Sequence, residues 1–404
     1  KGIYRTTNSG TNWFQSHDGI KALKIDGIHA SNGYVFAAGD AYGYFRSSDH
    51  GDTWTEINNG VLPTAGWFCF ARVGGDILAG AGSSLLYRSS DTGDNWTLSN
   101  TGFGLINSFA FFVEGNTVYT TGLAGVAKST DGGLNWTTLS SGYLSYEGGL
   151  DIWKDGSNIL TGSNLGKHRS TDDGATWSTS MTGITGAVGA YTQIDSTLFA
   201  ASAYGVYKST DHGANWTATA GFSVGVSPQC LAAIEEDLYV GTNDGVYRST
   251  NKGISWTAIN QGLASKTLVY KMAFDDEYLY AGTNNRSVWR RPLSEITDVR
   301  EVSDAVPNKF SLEQNYPNPF NPTTNFGFRI VDFSAKGGSA SGGGLVTLKI
   351  FDILGREVAI LVNEELHPGT FSVSWDATGQ ASGIYYYRLQ VGDFSETRKL
   401  LLTK

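Results

Sequence analysis

One phrase recurs along this chain: RTTNSGTNW at residues 5–13, then RSSDHGDTW, RSSDTGDNW, KSTDGGLNW, RSTDDGATW, KSTDHGANW and RSTNKGISW. Its closing tryptophans, Trp13, Trp54, Trp96, Trp136, Trp177, Trp216 and Trp256, return every 39 to 42 residues. A fixed period near forty marks a repeat architecture, in which each unit buries its apolar faces only against its neighbours. Within each period the order is constant. A short polar stretch and a glycine follow the tryptophan. Next come an apolar run such as CLAAI or AFFV, a turn such as EED or EGN, a second run such as LYVGT or VYTTG, and a segment like GVYRS.

No stretch of useful length keeps a helical period, so each repeat reads as four short β-strands bounded by turn residues. Four strands per forty residues make one blade of a β-propeller, with strands A to D running outward from the central channel and the repeated phrase joining C to D. Six periods are complete. GIYR with a D strand at the start, and KMAFDDEYLYAGT with SVWRR near residue 290, are partial. Pairing the two ends closes a seven-bladed ring and removes exposed sheet edges. One surplus strand keeps a truncated eight-bladed ring as the alternative. The chain opens at Lys1 inside a repeat, as expected of a processed protein or a fragment. Composition agrees with an all-β reading: 20 Phe, 20 Tyr and 11 Trp suit strands, and 52 Gly supply turns.

The phrase S/T-x-D/N-x-G-x-x-W resembles the Asp-box of BNR repeats, found in the sialidase- and sortilin-like propellers, over residues 1–292. The resemblance implies a hairpin turn. Asp49, Asp91, Asp131, Asp172 and Asp211 would accept bonds from turn amides, with Asn8 and Asn251 keeping the same acceptor oxygen. The tryptophans would wedge between sheets. An active site is not needed seven times, so the repetition reads as structural.

After RRPLSEI the pattern changes. Residues 293–309 read as a polar linker, and from 310 the stretches VTLKIFDILGREVAIL, GTFSVSWDATG and SGIYYYRLQVGDF alternate apolar and polar residues, as in a small antiparallel sandwich. Lys336–Gly344 reads as a long hairpin loop. NYPNPFNP (315–322), KIFDILGREV (349–358), GIYYYRL (383–389) and KLLLTK (399–404) resemble the type A C-terminal sorting domain of the type IX secretion system. That resemblance implies an immunoglobulin-like fold over 310–404. It also implies the secretion machinery as a partner through 315–404, and an extracellular or outer-membrane-surface location in a Bacteroidota-type bacterium.

On a propeller the D–A and B–C loops share one face, and a ligand is expected there. The richest loops are PTAGW (63–67), GYLSYEGGLDIW (142–153) and NNRSVW (284–289). Tyr143, Tyr146, Trp67 and Trp153 offer rings that could stack on sugars or clamp a peptide, with Glu147, Asp151 and Arg286 as charged companions. Trp67 and Trp153 read first as packing between blades, whereas Tyr143 and Tyr146 remain open. Asp151 aligns with Cys69 and Cys230 in otherwise apolar strands, where it could be a perturbed acid lining the channel or sit at a wet strand end.

A sialidase would need three convergent arginines, yet Arg5, Arg46, Arg88, Arg169 and Arg248 belong to the repeat itself and no triad pattern emerges. A glycosidase needs two facing carboxylates, and Asp18, Asp26, Asp40, Glu147, Asp151 and Asp244 are the candidates. Cys69 and Cys230 read as buried free thiols. The six histidines are scattered, so no metal site or cofactor is expected. A net charge of −9 without a Lys/Arg cluster argues against nucleic acid, and no apolar run is long enough for a membrane span. The expected function is a non-catalytic binding or scaffold module for an extracellular glycan or protein. A polysaccharide-active hydrolase of xyloglucanase or sialidase type, and a self-assembling surface protein, are the alternatives.

Overall fold

The computed structural model describes residues 14–22, 24–39, 43–62, 67–123, 125–139, 141, 149–163, 167–179, 181–219, 225–293, 296, 300–303, 307–331, 344–366, 368–377 and 379–403. Among them every regular element is a β-strand. The chain divides into two units, the first ending at Leu293 and the second having Ser294–Lys404 as its continuous body.

Seven sheets precede Leu293 among the described residues. The first is typical: Ile25–Ser31, Tyr34–Gly39, Gly43–Ser47 and Thr55–Glu56 pair in that order, all antiparallel. The second strand of each sheet is almost wholly buried, as in YVFAAG and DILAGA. It reads as a continuous apolar and small-residue run, with no alternation, because neighbouring sheets cover both of its faces.

The innermost strands are Ile25–Ser31, Trp67–Val73, Ile106–Glu114, Gly149–Asp155, Val188–Ile194, Pro228–Ile234 and Val269–Phe274. Each packs against the innermost strand of the next sheet, and Val269–Phe274 packs back against Ile25–Ser31. The outermost strand of the last sheet is Phe14–Gln15, which pairs with Val288–Pro292. Chain ends expected to pair therefore do so. The sheet at Gly149–Asp155, Asn158–Ser163 and Lys167–Ser170 has three strands, its outer edge reduced to the bridge Arg169–Ser178.

The second unit holds two four-stranded antiparallel sheets. One orders Arg300–Ser303, Gly369–Asp376, Thr323–Ile330 and Ser311–Leu312; the other orders Glu357–Leu366, Gly344–Phe351, Gly383–Val391 and Phe394–Leu402. Phe326, Phe328 and Phe371 from the first and Leu348, Ile350, Tyr387 and Leu389 from the second share one buried cluster. Gly383–Val391 alternates buried and exposed residues, as a sheet with one wet face requires.

Two expectations change here. Part of the stretch read as linker is an edge strand, because Arg300 and Glu301 pair with Ser372 and Phe371. The strands flanking the Gly/Ser stretch lie in different sheets, so the connection is a crossover, not a hairpin. Residues 332–343 themselves lie outside the described residues.

Candidate functional site

The repeated phrase folds into one turn, copied around the ring. In RSSDTGDNW, Thr92 and Gly93 take φ of 59° and 100°, the values of a type I′ hairpin turn, which glycine tolerates at no steric cost. Ser89 Oγ donates to Asp91 Oδ1 at 2.7 Å and accepts from the Gly93 amide at 2.7 Å. Asp91 Oδ1 accepts from the Asn95 amide at 2.9 Å, and Oδ2 from the Asn95 carboxamide at 2.7 Å. Asp49, Asp131, Asp172 and Asp211 repeat this network with Thr53, Asn135, Thr176 and Asn215. Bonds from the residue four places on hold Asp91, Asp131, Asp172 and Asp211 down to about 2.

The tryptophans wedge between sheets as expected. Trp54, Trp96, Trp136, Trp177 and Trp216 are 3–6% exposed. Trp96 Nε1 donates to Ile57 O of the preceding sheet at 2.7 Å, and Trp136 Nε1 to Ser99 O at 2.8 Å. Trp256 is half-buried, and Trp13 lies outside the described residues.

The basic residue that opens the phrase has a role the sequence reading missed. Arg46 donates to the carbonyl of Thr92 at 2.8 Å and Arg169 to that of His212 at 3.0 Å, each in the turn of the next sheet. Arg290 reaches the carbonyl of His50 and the carboxylate of Asp52, and Lys128 the carboxylate of Asp173. The signal was the invariable Lys or Arg at the head of every copy. These turns are therefore occupied with holding the ring together.

The chemistry-bearing groups gather along the axis instead. A cavity of about 270 Å³ is lined by residues of all seven innermost strands, among them Gly27, Cys69, Ala110, Asp151, Ala190, Cys230 and Lys271. These seven are equivalent positions. In every innermost strand the pairing register shifts immediately before this residue. Such bulges re-aim side chains. Above the axial cavity opens a second one of about 360 Å³, lined by Asp26, Phe109, Leu150, Ala187, Gly189, Ala203, Pro228, Gln229, Tyr270 and Lys271. Its volume falls within the usual range for small-ligand pockets, about 300–1,000 Å³.

Asp151 lies on this axis, as one of its two sequence readings allowed. Its Oδ2 accepts from the Tyr191 amide of the next sheet at 2.7 Å. Burial pushes its carboxyl upward, opposed by the charge of Lys271 and by bonds from the Tyr191 and Ile152 amides. Cys69 and Cys230 are buried free thiols, and burial pushes both up to about 12. Gly80 faces Cys69 across the pair, where a Cβ would sit 2.6 Å from the sulfur. At the mouth, Lys24 Nζ lies 2.6 Å from Asp26 Oδ1 and 5.6 Å from the centre of the Tyr270 ring.

The other expected site residues do not join this group. Tyr143, Tyr146 and Glu147 lie outside the described residues, and so does the side chain of Trp67, whose backbone starts its innermost strand. Arg286 sits exposed on a turn, its carbonyl accepting from Trp289 Nε1 at 3.0 Å, and it lines neither cavity. Trp153 packs between sheets, edge-on to Phe112 at 5.5 Å and bonded to Gln193 at 3.1 Å. Where no metal site was read, the fold brings ligand atoms of His50, Asp275 and Asp276 within 4.8 Å of one another, with His50 Nδ1 at 2.9 Å from Asp275 Oδ2.

Residues 314–403 match the family described as secretion system C-terminal sorting domain. No curated protein matches the chain. Among solved structures, it is similar to the extracellular domain of a hybrid two-component system from B. thetaiotaomicron, at 14% identity and a TM-score of 0.59. That match covers 80% of this chain and 46% of the other, so the chain spans about half the length of that domain. YCF48 bound to D1 peptide matches at 14% identity over 72% of this chain and 98% of that one, with a TM-score of 0.57. The WD40 repeats of RRP9 match at 11% identity over 72% and 99%, with a TM-score of 0.56. These likenesses are of fold, and the fold is a β-propeller. No helix among the described residues is long and apolar enough to cross a membrane. The C-terminal sorting domain indicates a secreted or cell-surface protein of Bacteroidetes.

Proposed function

We propose that this chain is a non-catalytic binding module presented outside the cell: a seven-bladed propeller of Asp-box repeats followed by an immunoglobulin-like sandwich that directs export. Seven innermost strands packed in a closed cycle support the blade count, and the Ser–Asp–Gly turn with its wedged tryptophan supports the Asp-box reading. Two four-stranded sheets around one core support the sandwich. The observation that carries the function is the 360 Å³ cavity at the axial mouth, mostly apolar with a few polar groups at its floor and rim. YCF48, of similar fold, holds a peptide, and peptides and glycans are the ligand classes to screen.

A second reading rests on Asp151, whose raised carboxyl inside a cavity suits a general acid. Two features weigh against it. Asp151 is already bonded by the Tyr191 amide, and Asp26 is engaged by Lys24. The test is binding of the full chain to glycan and peptide arrays, run beside reducing-sugar release from plant and microbial polysaccharides. Array binding without sugar release is expected. Release that Asp151→Asn abolishes would overturn the non-catalytic reading.

A further inference from the structure

Six of the seven equivalent axial positions carry Gly27, Cys69, Ala110, Asp151, Ala190 and Cys230, five of them small and uncharged. The seventh is Lys271, the one cation of the set. Its side chain lines both the axial cavity and the mouth cavity, so it stands at the floor of the mouth where the two meet. Its ammonium makes no hydrogen bond or salt bridge among the described residues, although its charge reaches Asp151 in the axial cavity. Asp151, the only other charge on the ring of positions, has its Oδ2 bonded to the Tyr191 amide. The rim carboxylate of Asp26 is held by Lys24.

A half-buried cation with no hydrogen-bond partner among the described residues costs free energy, and a propeller needs none at this position, as the six equivalents demonstrate. Around it the walls are apolar and aromatic: Phe109, Leu150, Ala187, Pro228 and Tyr270. An apolar funnel ending on an ammonium is complementary to an anionic group at the end of an apolar body.

We propose that the mouth cavity binds a carboxylate with an apolar body, its carboxylate seated on Lys271 Nζ. This rests on the binding-module reading above and specifies its ligand chemistry. Two sources share that chemistry, a small free acid and the C-terminus of a peptide. The carboxylate is chosen over an alcohol or amide because only an anion neutralises Lys271 while it is withdrawn from water.

The full chain is titrated calorimetrically with 4-phenylbutyrate and its amide, and with the tripeptide Ala-Ala-Phe carrying a free or an amidated C-terminus. At least one acid should bind more tightly than its amide, and which one does identifies the source. Lys271→Met should weaken that acid by about tenfold or more while leaving its amide unchanged, and Lys271→Arg should preserve it. Equal affinity for acid and amide, indifference to Lys271→Met, or no binding of any probe at millimolar concentration would overturn the proposal. An array ligand that binds wild type and Lys271→Met alike would leave the binding module standing and remove only the carboxylate.

Discussion

The acid-bearing turns of the ring are each governed by two side chains, a serine and an aspartate two places later. The serine hydroxyl ties the glycine amide to the carboxylate, and the carboxylate then gathers the amide and side chain of the residue four places on. These acids are held down to about 2 in the folded protein, against an ordinary 3.8. A depressed carboxyl contributes stability that is fully present above its unfolded value and is lost as pH falls through the folded one. The melting temperature of the propeller should therefore fall between pH 4 and 2. Asn251 keeps the contact with its serine, Ser249 Oγ to Asn251 Oδ1 at 2.9 Å. Asp91→Asn should accordingly fold, and should flatten that pH slope; an unchanged slope would refute the assignment. Trp96 is clamped between sheets, within 5.2 Å of the Tyr44 ring and bonded to Ile57 O. Trp96→Ala should cost about 3–5 kcal/mol in urea unfolding. In the second unit, buried Asn315 donates twice: its backbone N–H to Tyr387 Oη at 3.0 Å and its Nδ2 to Thr324 Oγ1 at 2.9 Å. Asn315→Ala should cost about 1–3 kcal/mol, read from the second unit's transition in calorimetry.

Between elements, the junction of the first and last sheets uses a contact that recurs around the propeller, where Lys252 reaches Asp195 and His212 reaches Asp155 in the preceding sheet. His50, in the first complete turn, bonds Asp275 in the A–B turn of the last sheet, and Tyr280 donates to the same carboxylate at 2.6 Å. The bond to Asp275 raises the imidazole above its ordinary 6.5, reinforced by the charges of Asp275, Glu277 and Asp276. Arg290 holds the His50 carbonyl and Asp52 from the other side. A group whose value is raised on folding stabilises fully below its unfolded value, and that contribution fades as pH climbs through the folded one. The junction should therefore loosen as pH rises above 6.5. Protection factors for amide exchange in Val269–Phe274, corrected for base catalysis, should fall over that range in wild type, and should lose this pH dependence in His50→Gln. The motif of the second unit does comparable fastening. The Phe320 amide donates to Leu401 O and its carbonyl accepts from the Thr403 amide, and Asn318 Oδ1 accepts from the Leu401 amide at 3.0 Å. NYPNPFNP thus pins the last strand in place.

At the scale of the molecule, the repeat period and the strand count per period were legible because every blade solves one packing problem with one set of residues. The hairpin turn and wedged indoles were legible for the same reason. The site was less so. Asp151 was found because it interrupts an apolar strand, and the same comparison extended to KMAF would have exposed Lys271, one blade before the ring closes. Arg286 misled because an arginine in a loop near a ring's mouth carries no sign of which way it faces. The stretch 293–309 read as linker because a four-residue edge strand leaves almost no periodicity. Removing residues through Gln15 should strip the last sheet of its outer strand, lowering the first transition and quickening exchange in Val288–Pro292; an unchanged exchange rate would contradict the closure. That closure has a temporal side. Gln15 meets Arg286 across 271 positions of chain, so the Phe14–Gln15 strand stays orphaned until Val288–Pro292 exists. During that wait its unpaired edge is open to the same docking strip on a neighbouring copy, so crowded refolding should yield dimers that have traded these strands.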